Sequence, residues 1–199
     1  FWMTKEDCTG GVYEYMYSHM SSTDPNTMWT SSGLNIYLGC EGQGHGSSHN
    51  GAVIRYSLVD TSGNEAMFDA SLHEAGNFDA VTNVWVHILM TVTPTSLKTY
   101  DDGRAVPDSD YHYYQNNGGS APSNLAAGGS ASPGALGMAS GQFSPGFVFT
   151  GPASARVSPF NFALDLFLGT RADHSADRHF NGRLALVKVF SASLSSLQA

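Results

Sequence analysis

The clearest structural signal in this chain lies between Val84 and Gly103, where the sequence reads VWVHILMTVTPTSLKTYDDG. Its first nine residues alternate in side-chain character, which predicts a β-strand because successive strand residues point to opposite faces of a sheet. One predicted face is aliphatic throughout and comprises Val86, Ile88, Met90 and Val92. The other face is mixed and comprises Trp85, His87, Leu89 and Thr91. This pattern is typical of a strand between a packed core and a partly covered outer surface.

The end of the same stretch predicts a tight hairpin. Asp102-Gly103 follows a second β-rich run, Ser96–Asp101. Aspartate and glycine tolerate the positive φ angles that both central positions of a type I′ turn require.

Other short runs along the chain are alternating or rich in β-branched and aromatic residues, and none shows sustained helical periodicity. These further candidate strands are 12–18, 34–40, 52–60, 65–72, 163–169 and 183–190. Leu194 and Leu197 indicate a helical turn near the end of the chain. Regular short strands separated by turn residues predict an all-β fold, a two-sheet antiparallel β-sandwich.

The composition fits one domain spanning residues 1–199. With 41% hydrophobic and 12% aromatic residues, the chain can bury a core without several disulfides. A net charge of −8 with nine scattered Lys and Arg residues argues against nucleic acid, which requires clustered cations. No apolar run reaches the roughly 20 residues of a membrane span.

The two cysteines, Cys8 and Cys40, predict one disulfide and a secreted or cell-surface location. Antiparallel pairing of 12–18 with 34–40 would bring both cysteines to the same end of a hairpin. The alternative is two separate buried thiols. No signal peptide is visible, and the apolar start Phe1-Trp2-Met3 favours a segment excised from a longer precursor.

Residues 116–160 form a long neutral insertion, in which Arg156 is the only charged residue. So long a connection inside a compact domain tends to be functional or mobile. Because it contains Phe143, Phe147 and Phe149, we expect an ordered loop that lays these rings across the sandwich.

Two groups of motifs resemble the laminin G-like domains of the concanavalin A-like lectin/glucanase superfamily. The first is a W-x-H strand followed by a Y-x-D-G hairpin, at Trp85–His87 and Tyr100–Gly103. The second is an L-x-x-G motif, an F-x-G-x-[IL] strand and a final leucine, at Leu166–Gly169, Phe180–Phe190 and Leu194. The match covers about 12–199 apart from the loop after Tyr114, and it implies a jelly roll.

The resemblance also implies a departure at the start of the chain. Laminin G-like domains begin with one or two strands before the run that Phe1-Trp2-Met3 continues. If these are missing, a sheet edge is left unpaired. We expect a neighbouring segment or another chain to complete the sheet.

Catalytic patterns are weak. Glucanases of this superfamily hold two carboxylates across the scissile bond, in an E-x-D-x-x-E spacing that Glu65, Asp69 and Glu74 do not reproduce. A Gly-x-Ser-x-Gly elbow is absent, and we interpret His87 as a structural histidine hydrogen-bonded between the sheets. The sequence therefore predicts a protein that is not an enzyme.

One metal site follows from the resemblance, because laminin G-like domains often carry a calcium ion held by loop oxygens. The best candidate ligands are Asp173, Asp177 and Asn181. The alternative is that the two aspartates cap turns and pair with Arg171 and Arg178.

A second hypothesis is a transition-metal site at His45 and His49, which are spaced by four in a Gly/Ser-rich loop near Glu41. It lacks a clear third ligand.

Aromatic side chains supply the candidate ligand platform. Tyr13, Tyr15 and Tyr17 alternate on one predicted face, either as a ligand stripe or as one side of the inter-sheet core. Trp29 lies in the loop that follows this strand and is a further candidate ligand residue. A second group is the better candidate for a ligand site and comprises Tyr111, Tyr113 and Tyr114.

The sequence thus predicts a non-catalytic recognition or adhesion module for glycan or extracellular matrix. The alternative is a structural subunit or repeat unit that packs against other proteins in a larger assembly. The many small residues in 116–160 favour the second hypothesis, a structural subunit of an assembly. A glycan-cleaving enzyme is the third hypothesis.

Overall fold

The structure, a computed structural model, describes residues 1–6, 13–27, 31–39, 53–60, 65–71, 83–93, 96–105, 111–116 and 164–190. These residues form eleven β-strands and one short 3-10 helix, Ala176–Arg178. In chain order the strands are β1 Trp2–Lys5, β2 Glu14–Met20, β3 Gly33–Gly39, β4 Val53–Val59, β5 Glu65–Ser71, β6 Val86–Thr93, β7 Ser96–Asp101, β8 Arg104–Ala105, β9 Tyr111–Asn116, β10 Phe167–Leu168 and β11 Gly182–Ala185. No helix in this part of the chain has the length and apolar character needed to cross a membrane.

The strands form two antiparallel sheets. One has five strands in the order β11-β1-β6-β7-β8, and the other has six in the order β10-β2-β3-β4-β5-β9. A single hydrophobic cluster draws side chains from both sheets, so the core lies between them. Its buried members include Met3, Leu38, Tyr56, Ile88 and Leu97. The predicted all-β sandwich is confirmed at this level.

The long strand of the opening motif is also confirmed. Val86, Ile88 and Val92 are buried in the core cluster, and Met90 packs against it. His87 lies on the opposite face of this strand, against our expectation of a place between the sheets. It alternates with Val86 and Ile88 along β6, so its side chain is directed away from the core.

The predicted tight turn is present. Tyr100 pairs with Ala105 and Asp101 pairs with Arg104, which leaves Asp102 and Gly103 as a two-residue loop. Their φ angles are 46° and 80°, as a type I′ turn requires.

The start of the chain lies inside a sheet. Strand β1 pairs with β11 on one side and β6 on the other, so β1 is not itself an edge. The edge strands of the described sheets are β11, β8, β10 and β9. The absence of earlier strands therefore stays a prediction.

A β-bulge in β2 corrects the expectation that Tyr13, Tyr15 and Tyr17 share a face. Tyr15 pairs with Tyr37 and Tyr17 pairs with Ile36, so the register shifts at the residue between the two tyrosines. A bulge reverses the face on which the following side chains lie. Tyr17 consequently enters the inter-sheet core, whereas Tyr15 stacks on Tyr37 outside it.

A buried ion pair joins the two sheets. The Lys5 ammonium on β1 lies 2.8 Å and 2.7 Å from the two carboxylate oxygens of Glu14 on β2. It also donates to the Asn181 carbonyl oxygen at 2.8 Å, and the Asn181 nitrogen donates to Glu14 at 2.7 Å. The Lys5 side chain is 0% exposed. Since a buried charge is costly without a partner, this pair ties β1, β2 and the approach to β11 into one arrangement.

Removing the carboxylate tests this role. Glu14→Ala leaves the Lys5 charge buried and unpaired, so we expect the free energy of unfolding to fall by about 3–5 kcal/mol. Denaturant unfolding measures it. Glu6→Ala is the control, because Glu6 also pairs with a cation, Arg183, but at 3.6 Å and with both side chains exposed. There the expected change is below about 1 kcal/mol, and equal losses in both variants would contradict the assignment.

Candidate functional site

On the described strands β2, β3 and β4, the outer face of the six-stranded sheet carries aromatic and polar side chains that are largely buried. Tyr15 and Tyr37 stack with ring centroids 4.6 Å apart, and both are buried. The guanidinium of Arg55, also buried, lies 4.8 Å from the ring centroid of Tyr13 and 5.8 Å from that of Tyr37. These cation–π contacts consolidate the face without exposing it.

The chain itself covers part of this face. The backbone nitrogen of Ala172, a fully buried residue, donates to the Ser18 hydroxyl at 3.1 Å. That hydroxyl donates in turn to the Asn35 side-chain oxygen at 2.6 Å. Beside it the Arg171 guanidinium lies 5.7 Å from the Tyr15 ring centroid. Residues 171–172 therefore engage the Ser18 hydroxyl and the Tyr15 ring on this face.

The predicted calcium ligand Asp173 is held by an arginine. Arg171 donates to both carboxylate oxygens, at 2.7 Å and 2.6 Å, and the Ser175 nitrogen donates to one of them at 3.2 Å. The hydrogen bond from Arg171 lowers the pKa of Asp173, and the same bond raises the pKa of Arg171. Binding calcium at Asp173 would require Arg171 to release it.

Of the other two predicted calcium ligands, Asp177 has side-chain partners and Asn181 has backbone partners. The Asp177 carboxylate accepts a short hydrogen bond from the Ser175 hydroxyl and lies 3.7 Å from Arg178. The hydrogen bond from Ser175 is the main cause of its lowered pKa. Asn181 uses its backbone groups in the Lys5–Glu14 network. The structure contains the pairing of Asp173 with Arg171 and a longer contact of Asp177 with Arg178, and calcium binding stays a prediction.

Metal binding elsewhere gains no support from this part of the molecule. Within the ranges that the structure describes, no group of three or more His, Cys, Asp or Glu residues could hold a metal ion. His45 and His49 lie outside those ranges, as do the predicted disulfide partners Cys8 and Cys40. The metal and disulfide assignments stay predictions.

The predicted ligand tyrosines lie on β9, the edge strand next to β5. In register, Tyr111 pairs with Ala70, Tyr113 with Phe68 and Tyr114 with Met67. Trp29 and residues 117–163 lie outside the described residues.

A different aromatic surface is exposed on the outer side of the five-stranded sheet. Trp2 is 37% exposed and Trp85 is 44% exposed. Trp2 pairs with His87 across β1 and β6, and their ring centroids are 4.9 Å apart at 38°. We call the surface formed by Trp2, Trp85 and His87 the tryptophan face. Large exposed aromatics grouped in this way mark interaction surfaces.

The alternation of burial places these rings on one face. Met3 and Lys5 point toward the other sheet. Trp2 precedes Met3 in the alternation along β1, so it points outward. On the neighbouring strand Val86 points inward, and Trp85 and His87 therefore point outward with Trp2. Sequence reasoning placed Trp85 and His87 on a common face but missed Trp2, because the pairing of β1 with β6 joins residues far apart in the chain.

His87 is positioned by the type I′ turn. Its backbone nitrogen donates to the Asp102 carboxylate at 2.8 Å, and the Asp102 nitrogen donates to the His87 carbonyl at 2.9 Å. Burial lowers the pKa of His87, the Phe1 amino group lowers it further, and the Asp102 carboxylate opposes both. Neutral His87 is therefore favoured in the fold. Its contribution to stability is complete above the usual histidine pKa of about 6.5 and declines as the pH falls from there toward the folded-state pKa.

Comparisons with protein-family models, curated proteins and solved structures find no match for this chain. A functional proposal therefore depends on the chain's own side chains. Among the described residues, the tryptophan face is where large aromatic rings meet solvent on a rigid sheet.

The electrostatic setting of this face can be tested by titration. Asp102→Asn keeps a favoured residue in the type I′ turn but removes the charge that raises the pKa of His87. We therefore expect the pKa of His87 to fall further below 6.5. Two-dimensional NMR of the imidazole across pH measures it. Asp165→Asn, which removes an exposed carboxylate beside the other sheet, should leave the midpoint unchanged. An unchanged or raised midpoint in Asp102→Asn would contradict this account.

Proposed function

We propose that the chain is a non-catalytic recognition module that binds glycan through its tryptophan face. The observation that carries this proposal is the exposure of Trp2 and Trp85 on one side of a sheet, with His87 packed against Trp2. Indole rings offer broad apolar surfaces against which the carbon-bound hydrogens of a sugar ring can pack. Because Trp2 lies in the paired strand β1 and Trp85 directly precedes β6, little backbone ordering is needed on binding.

The six-stranded sheet is the weaker candidate surface. Its aromatic and polar groups resemble those of a ligand site, but Ala172 donates to Ser18 and Arg171 lies over Tyr15. A ligand there would have to displace these contacts. The tryptophan face requires no such displacement of buried residues.

The carboxylates near the tryptophan face favour a binding role over a hydrolytic role. Glycosidases need two carboxylates placed on either side of the scissile bond. The Asp102 carboxylate accepts a hydrogen bond from the His87 backbone nitrogen and so serves the turn. The proposal therefore assigns recognition, without cleavage, to this surface.

We further propose that the sandwich is a laminin G-like jelly roll of the concanavalin A-like type. Support comes from the physical role of the Phe180-Asn181-Gly182 motif. Gly182 pairs with Lys5, and a Cβ there would collide with the Thr4 carbonyl oxygen. The Phe180 ring centroid lies 5.8 Å from the Lys5 ammonium. The motif thus docks the final strand against β1. A secreted or cell-surface location belongs to the same proposal.

A structural subunit that packs against other proteins is the second candidate. Leu186 and Phe190, which follow β11, are both exposed apolar side chains. Strand β11 is an edge of the described five-stranded sheet, and edges accept additional strands. The structural-subunit hypothesis places the protein contact at the edge of the five-stranded sheet, whereas glycan recognition would use the outer face of that sheet.

A glycan array with and without calcium, followed by titration of the bound glycans, tests the proposal. We expect Trp2→Ala and Trp85→Ala each to weaken binding at least about tenfold, because exposed tryptophans that become buried dominate binding energy. Leu168→Ala is the control, since Leu168 is exposed beside the other sheet. Thermal melts establish that each variant is folded.

The remaining outcomes separate the alternatives. Loss of binding in Tyr113→Ala or Tyr114→Ala, with the tryptophan variants unaffected, would move the site to β9. Silence across the array together with concentration-dependent self-association in sedimentation velocity would favour the structural subunit.

A further inference from the structure

A buried hydroxyl without a hydrogen-bond partner lies on the outer side of β1. Thr4 is 7% exposed, and its Oγ1 atom has no partner in the described part of the chain. A buried polar group left unpaired lowers stability, so most such groups are paired in folded proteins. The Thr4 hydroxyl is therefore an unexplained feature of the face that carries Trp2.

The strand register places Thr4 between two named neighbours. On one side Thr4 pairs with Arg183 of β11. On the other side Trp2 pairs with His87 and Met3 with Val86. Beyond these two pairs the Asn83 nitrogen donates to the Lys5 carbonyl at 2.8 Å, one residue out of the register of the ladder, so Thr4 faces the segment Val84–Trp85. Thr4 thus lies on the same face of β1 as Trp2, next to the segment that carries Trp85.

A loose ion pair borders this row. Arg183 and Glu6 are both exposed, and their closest charged atoms are 3.6 Å apart. A guanidinium has five N–H donors and a carboxylate has two acceptor oxygens, so one long contact uses little of their capacity. The opposite charges balance each other, and the chain as a whole carries −8, which disfavours a polyanionic ligand.

We infer that Thr4 is a specificity-determining residue of the tryptophan face and that its hydroxyl pairs with a ring hydroxyl of a neutral glycan. This inference rests on the proposed function. The tryptophans contact the apolar side of the sugar, while Thr4, Arg183 and Glu6 supply its polar contacts. Arg183 is the cross-strand partner of Thr4 on β11, and its exposed and weakly paired side chain is available to contact the ligand. The unpaired hydroxyl is stabilised only in the complex.

Thr4→Val separates a binding role from a structural one. Valine has nearly the same shape and a high strand propensity, and it removes the unpaired hydroxyl. We expect an equal or higher melting temperature together with at least about tenfold weaker binding of a neutral oligosaccharide. Calorimetric titration of cellohexaose, laminarihexaose and chitohexaose measures the affinity, with dextran sulfate as the anionic comparison. Thr4→Ser should recover part of the affinity, and Leu168→Ala is the control.

Each outcome bears on a separate claim. Wild-type binding of a neutral hexasaccharide that Thr4→Val retains in full would overturn the role of Thr4 but leave the proposed function standing. Binding of dextran sulfate alone would overturn the neutral class. If the wild-type protein binds none of these probes or any array glycan, the proposed function fails, and the role of Thr4 fails with it.

Discussion

The contact on which the rest of the structure depends is the buried ion pair of Lys5 and Glu14. It is formed between the sheets, where an unpaired ammonium would be strongly destabilising. Both carboxylate oxygens and the Asn181 carbonyl satisfy Lys5, so the charge fixes β1, β2 and the entry to β11 relative to one another. Gly182 completes this arrangement by allowing β11 to lie close against Thr4. An apolar core alone would not specify this alignment, because hydrophobic burial is non-directional.

The two sheets differ in what their outer sides can do. Side chains on both faces of β2, β3 and β4 are buried, so the described centre of the six-stranded sheet is covered. The β-bulge in β2 contributes to this covering, because it leaves Tyr15 on the outer face against Tyr37 and turns Tyr17 toward the core. The five-stranded sheet instead keeps Trp2 and Trp85 in contact with solvent. The contrast directs the functional proposal to the smaller sheet.

Most local features of this fold are predictable from short stretches of sequence. The period-two pattern of β6 and the Asp102-Gly103 turn depend on neighbouring residues alone, and both are present as predicted. The final strand is shorter than predicted, since Leu186 adopts a φ of 50° directly after β11. Strand β1 was missed because its apolar start carries no alternation of its own. Its assignment depends on partners about 80 and 180 residues away, at His87 and Ala185.

The amino-acid sequence by itself determined the all-β class, the inward face of β6 and the position of the hairpin turn, because alternation and turn chemistry act between adjacent residues. Only the tertiary structure decided which aromatic rings meet. It separated Tyr15 from Tyr17 by a bulge and brought Trp2 beside His87. These outcomes depend on strand order and register, which long-range packing and the buried Lys5–Glu14 pair select.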